Sequence, residues 1–137
     1  MDNSSCKEIW LKKIFLPYVQ NRTLNTIFRP DRRLFSEKHP KAFIENKIIR
    51  VRIIEKSGAQ WAGAGCIFLP EPNFRAVITQ VTTKMIEELE PSDFIGSSPC
   101  TQNIEALKYQ LCYIYDKSMD EIGHDFWITR TTFQYLD

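Results

Sequence analysis

The run KIIRVRIIEKSG, residues 47–58, constrains the fold of this chain more than any other stretch. Ile48, Ile49, Val51, Ile53 and Ile54 are β-branched, and such side chains pack well on a pleated surface. Arg50 and Arg52 alternate with Val51 and Ile53, so the two arginines share one face and the aliphatic pair the other. Gly58 closes the run. A chain that contains this strand has to build a sheet with an apolar side to bury.

Other segments supply neighbours for it. WAGAGCIFL (61–69) reads as a second strand, and its small residues suggest a bulge or a close backbone approach. A turn at Pro70, Pro72 and Asn73 separates it from a third strand, RAVITQVTT (75–83). FWITRTTFQYLD (126–137) is strand by composition. Trp127, Thr129, Thr131, Phe133 and Tyr135 fall on one of its faces, Phe126, Ile128, Arg130, Thr132 and Gln134 on the other. Phe133 and Tyr135 are expected in the core. A short β-prone run, LNTIF (24–28), precedes the breaker sequence RPDRR, and residues 34–46 have no clear period.

Two helices are expected. IEALKYQLCYIY carries Ile104, Leu107, Leu111 and Ile114 at helical spacing, with Thr101 or Asn103 available as the cap. Tyr113 and Tyr115 at its end read as packing residues. Residues 6–16 form the second, capped by Ser5, with Ile9, Trp10, Lys13 and Ile14 recurring; Pro17 and Asn21 mark its end or a kink. MIEELEPSDF (85–94) fits a short helical turn before Pro91, its acidic residues a solvated connector. Strands in succession with a helix inserted late argue for an α+β fold, built on one curled sheet or small open barrel.

Length and composition narrow the class. At 137 residues with 43% apolar side chains, the chain suits a single domain, 1–137, with a real core. No run approaches the ~18 apolar residues of a membrane span, and the polar start MDNSSCKEIWLKK does not read as a secretory signal. A soluble, cytoplasmic protein is the expectation. Cys6, Cys66, Cys100 and Cys112 lie far apart, as do His39 and His124, so neither a disulfide framework nor a metal site is expected, and no cofactor.

Charge is unevenly spread. Residues 1–60 carry 13 Lys+Arg against 6 Asp+Glu, and residues 61–137 carry 5 against 11. A basic N-terminal half favours an anionic partner, although the two halves can equally pair with each other. The basic residues concentrate in RTLNTIFRPDRR (22–33), where Arg22, Arg29, Arg32 and Arg33 occupy four of twelve positions. The guanidinium fork suits phosphate oxygens. The dull alternative is a solvated loop paired with Asp31, Glu37 and Glu45.

The pattern resembles the ASCH domains of the PUA-like superfamily. AVITQVTTKMIEELEPSDF looks like the family's strand and connecting helix, NIEALKYQLCYIY like its helix with a Tyr-rich end, and FWITRTTFQYL like its closing strand. TLNTIFR with KIIRVRII is similar to the first barrel strand, basic loop and second strand. The resemblance implies a small open β-barrel of about five to six strands with flanking helices, and a cleft that receives RNA or a nucleoside.

One branch of the family hydrolyses acetylated cytidine with a lysine in the basic loop, an adjacent threonine and a glutamate shortly before the C-terminal helix. Here no lysine lies between Ile14 and Glu37, and no acid between Asp93 and Glu105. Thr23 and Leu24 fall near the lysine's place, and Arg cannot substitute as a base. The expectation is therefore a non-catalytic RNA- or nucleotide-binding domain. Its contacts would be Arg22, Thr23, Arg29, Arg32, Arg33, Trp61 and Arg130, with Arg29 foremost because it follows directly from a strand. Trp61 offers a ring for a base to stack on, or fills the core. Arg130 sits beside Phe126 and Ile128 and lines a cleft or pairs with the acidic half. A nucleic-acid or nucleoside hydrolase, with Glu37 or Lys38 as substitute groups, and a protein-interaction domain are the alternatives.

Overall fold

Among the described residues, five strands make one sheet, and its two edges are the first two of them in chain order. The structure, a computed structural model, describes residues 8–56, 67–123 and 125–137. The strands are β1 (Glu8–Lys12), β2 (Thr26–Pro30), β3 (Ile48–Lys56), β4 (Ile67–Met85) and β5 (Trp127–Tyr135), in spatial order β1-β3-β4-β5-β2. β1 runs parallel to β3, and the other pairings are antiparallel. The sheet curls into a half-barrel, with helices α1 (Leu16–Gln20) and α2 (Ile104–Tyr115) beside it. This is the expected α+β open barrel at the lower end of the expected strand number.

The alternation of each strand divides the core in two. Ile9, Leu11, Ile27, Val51, Ile53, Ile78 and Phe133 point into the barrel, with Phe15, Val19 and Leu24 plugging it. Phe28 and Ile128 point out of the same sheet and meet Leu107 and Leu111 of α2, with Ile86, Leu89 and Phe94 from the connector. α2 forms where its apolar stripe predicts. Its N-terminus is capped by Asn103, whose Oδ1 accepts from the Ala106 amide at 2.8 Å. Leu111 is only 2% exposed, so truncation to alanine should cost about 2–5 kcal/mol.

Three expectations about local structure fail. Residues 8–12 are strand β1, not part of a helix over 6–16; Ile9 and Leu11 are buried while Glu8, Trp10 and Lys12 stay half-exposed. The same residues satisfy a period of two, and pairing with β3 decides between the periods. Pro17 then opens helix α1 instead of ending one, a position where its missing N–H costs nothing. The turn expected at Pro70–Asn73 is absent, because β4 runs through it. Register shifts against β3 absorb the prolines between Arg52 and Lys56. The beginning of WAGAGCIFL, with Trp61, lies outside the described residues, as do Ser5 and His124.

The start of β2 is fixed from two directions. The Gly96 carbonyl accepts from the Asn25 and Thr26 amides at 2.8 and 3.0 Å. The Tyr135 phenol donates to the Leu24 carbonyl at 2.6 Å, and burial pushes that phenol's pKa well above the ordinary tyrosine value. The residues 94–98 connector is thereby laid against the strand that carries Arg29. Among the described residues, no helix is long and apolar enough to cross a membrane.

A candidate nucleic-acid interface at the seam between the sheet edges

Strand β2 distributes the four arginines of RTLNTIFRPDRR instead of gathering them. Arg22 precedes the strand in a left-handed conformation (φ 62°). It donates to the carbonyls of Asp137 and Gln20 at 2.8 and 2.9 Å and lies over the Phe74 ring at 4.3 Å. Thr23 beside it donates to Asn21 Oδ1 at 2.6 Å. Arg32 and Arg33 follow the strand at its other end, roughly 17 Å away at the usual rise of a five-residue strand. Arg32 makes a bidentate contact with Glu37 at 3.3 and 2.7 Å and stacks over Trp127 at 4.4 Å.

Arg130 sits on the other face of the sheet. It is opposite Phe28 in register, and neighbouring strand residues point to opposite faces, so Phe28 and Arg130 face outward while Arg29 does not. Its Nε donates to the Asp93 carbonyl at 2.7 Å, its Nη1 to Gln80 at 3.0 Å, and the Asp93 carboxylate lies 3.9 Å away. Of the two sequence readings of Arg130, the pairing with the acidic half is the one with contacts. Asp93 is accordingly more than a solvated connector residue. Burial works against its charge, but the Glu90 amide, Lys84 and Arg130 together hold its pKa below the ordinary value.

Arg29 and Arg33 are the two whose charges act on each other. Arg29 is partly buried; its Nη1 donates to the Phe28 carbonyl at 3.3 Å and its Nη2 to the Trp10 carbonyl at 3.2 Å. The second contact crosses from edge β2 to edge β1, so the open side of the half-barrel is a seam with Arg29 inside it. Burial draws the Arg29 pKa below its usual value; Tyr115 opposes this, and the neighbouring Arg33 charge adds to it. Guanidinium remains charged regardless. Arg33 is placed by Thr129, whose hydroxyl accepts from the Arg33 amide at 2.7 Å and donates to the Asp31 carbonyl at 2.6 Å. The Arg33 Nε then turns back to the Pro30 carbonyl at 2.8 Å.

Neither Arg29 nor Arg33 forms a salt bridge among the described residues, whereas Arg32, Arg52, Arg75 and Arg130 each do. Two like charges thus act on each other, held by backbone carbonyls and paired with no carboxylate among the described residues. Lys12 lies further along the same edge, its ammonium 4.7 Å from the Tyr113 ring. The sequence reading missed Lys12, because it placed that residue on a helix. It also took Tyr113 for a packing residue, yet Tyr113 is 75% exposed.

Beneath the seam is a narrow cavity of about 50 Å³, far below the roughly 300–1,000 Å³ that small-molecule sites occupy. Its polar lining is Thr26, Arg29, Ser98, Thr101, Gln110 and Tyr115. Apart from Arg29, these polar groups are hydroxyls and one side-chain amide. A roomier depression of about 480 Å³ opens at the start of α2, but it is lined by Glu87 and Glu105, and its Lys108 is paired with Glu87. Among the described residues, no group of His, Cys, Asp or Glu side chains gathers as metal ligands would.

No family model matches the sequence, and no curated protein matches it. Solved structures do resemble it. An ASCH domain from Lactobacillus crispatus superposes with a TM-score of 0.61 at 8% identity, over 94% of this chain and 79% of its own. A protein of the DUF984 family from Enterococcus faecalis gives 0.59 at 8% identity, over 96% and 81%. With five strands in one curled sheet, α2 packed outside it and a seam between the edge strands, this protein has an ASCH-like fold.

Proposed function

We propose that this domain binds RNA or a nucleotide through its phosphates at the seam between β1 and β2, and does not cleave it. The observation that carries the reading is the adjacent pair Arg29 and Arg33, without a carboxylate partner among the described residues. Uncompensated guanidinium groups are matched to phosphate oxygens in geometry and charge. Arg32 enlarges the basic rim once a phosphate competes with Glu37, and Arg22, Thr23, Arg130 and Trp61 remain more distant candidates for the path of a longer strand. The ASCH-like fold gives this reading its context, since the resemblance in sequence implies a cleft for RNA or a nucleoside.

The absence of catalysis belongs to the same proposal. The cavity lining offers one charged group, Arg29, which cannot act as a base near neutral pH. The deciding experiment is retention of single-stranded and structured RNA on a filter at low salt, for the parent and for Arg29→Ala and Arg33→Ala. Binding that weakens tenfold or more in each variant supports the reading; a parent that retains no RNA sinks it. Turnover of acetylated cytidine by the parent, abolished by Thr23→Ala or Glu37→Gln, would instead establish the hydrolase.

A further inference from the structure

Helix α2 presents two tyrosines to solvent on a single stripe. Tyr109 and Tyr113 are four residues apart and 59% and 75% exposed, while Leu107 and Leu111 on the opposite side of the helix are buried. Residues at this spacing stand one above the other on a helix face, about 6 Å apart along the axis. Large exposed aromatic rings are costly to leave in water, and the rest of the helix obeys its amphipathic pattern. Glu105, one turn further back, ends the stripe.

The stripe is continuous with the basic seam. Arg29 reaches the Trp10 carbonyl; Lys12 is two residues along the same strand, roughly 7 Å on; and Lys12 lies against the Tyr113 ring. Cations therefore border the aromatic stripe on the β1 side, and no carboxylate among the described residues pairs with Arg29 or Arg33. A partner that is anionic along its backbone and carries flat unpaired rings matches both features at once. Bases within a duplex have their faces covered, so a duplex meets only the charges.

We infer that Tyr109 and Tyr113 form a base-stacking platform, and that the ligand of the seam is single-stranded RNA spanning from Arg29 and Arg33 across Lys12 to this helix. This inference rests on the seam reading, because the phosphates on Arg29 and Arg33 set where the strand starts. It adds that at least two consecutive unpaired bases are engaged, so an oligonucleotide binds more tightly than a mononucleotide.

The test measures the affinity of the full chain for an oligoadenylate hexamer, for a self-complementary RNA duplex and for adenosine monophosphate, in the parent, Tyr109→Ala, Tyr113→Ala, Tyr113→Phe and Arg33→Ala. Stacking predicts that each alanine variant loses about tenfold or more for the hexamer, that Tyr113→Phe retains affinity, and that binding of the mononucleotide is unchanged. Both tyrosines are exposed, so thermal melting should match the parent. Alanine variants that bind the hexamer like the parent overturn the platform while leaving the seam reading intact. Loss in the tyrosine variants with none in Arg33→Ala overturns the seam reading and keeps the platform. A parent that prefers the duplex, or binds neither RNA, overturns the inference.

Discussion

Arg29 on β2 donates from Nη2 to the main-chain carbonyl of Trp10 on β1 at 3.2 Å, so one side chain spans the gap between the two edges of the sheet. Among the described residues no strand fills that gap, and a guanidinium crosses it where a hydrogen-bonded ladder would otherwise run. Burial is the main influence on that group's charge, and the Arg33 charge adds to it.

Arg29→Ala should therefore lower stability as well as binding. Hydrogen bonds made by charged groups contribute about 1.5–3 kcal/mol, and two carbonyl contacts are lost. Urea denaturation of parent and variant should show a loss of about 2 kcal/mol. An unchanged midpoint would mean that the edges are held without it.

The salt dependence of RNA binding reads the number of phosphate contacts directly. Each neutralised phosphate of a single strand contributes about −0.7 to the slope of log affinity against log salt. Arg33→Ala should make the slope shallower by about 0.7. Glu37→Gln, which releases Arg32 from its bidentate contact, should make it steeper by up to about the same amount. Titrations at several salt concentrations check both, and parallel slopes would place these arginines outside the interface.

Gly96→Ala should cost at least about 2 kcal/mol. Gly96 has φ +84°, and a Cβ there would lie 1.9 Å from Asn25 Oδ1, in a conformation that L side chains avoid. Its carbonyl receives the amides that start β2, so a change of backbone conformation at Gly96 would reach the strand that carries Arg29. Thermal melting and RNA affinity should both fall; a fall in neither would show that the connector yields freely.

Asp93 predicts an acid-sensitive share of stability. Its folded pKa lies below the ordinary value, so its stabilisation is fully present above the unfolded value of about 3.9 and is lost as pH falls through the folded pKa. Asp93→Asn should cost about 1 kcal/mol at pH 7, after allowance for solvent screening. Denaturation at pH 7 and at pH 2.5 should show the deficit shrinking in acid. A deficit that stays constant would assign the effect to packing.

The sequence by itself determined every element whose own residues carry one dominant period. The β-branched run of β3, the apolar stripe of α2 with its Asn103 cap, and the closing strand with Phe133 and Tyr135 inward are all local patterns. The resemblance to ASCH domains rested on these same hydrophobic patterns, and the fold bears it out. Residues 8–12 were ambiguous because Ile9 and Leu11 satisfy a strand period while Ile9, Lys13 and Ile14 satisfy a helical one. Only the free edge of β3 chose between them, and no local property encodes that edge. Pro70 and Pro72 likewise signalled a turn, whereas the length of the β3 partner carried β4 through them. The fate of the arginines was tertiary too. Four arginines within twelve residues are one cluster in sequence, but an extended strand separates its ends and alternates its faces. It sent Arg22 to one end and Arg32 to Glu37, and left Arg29 with Arg33 at a seam that exists only once the sheet has curled.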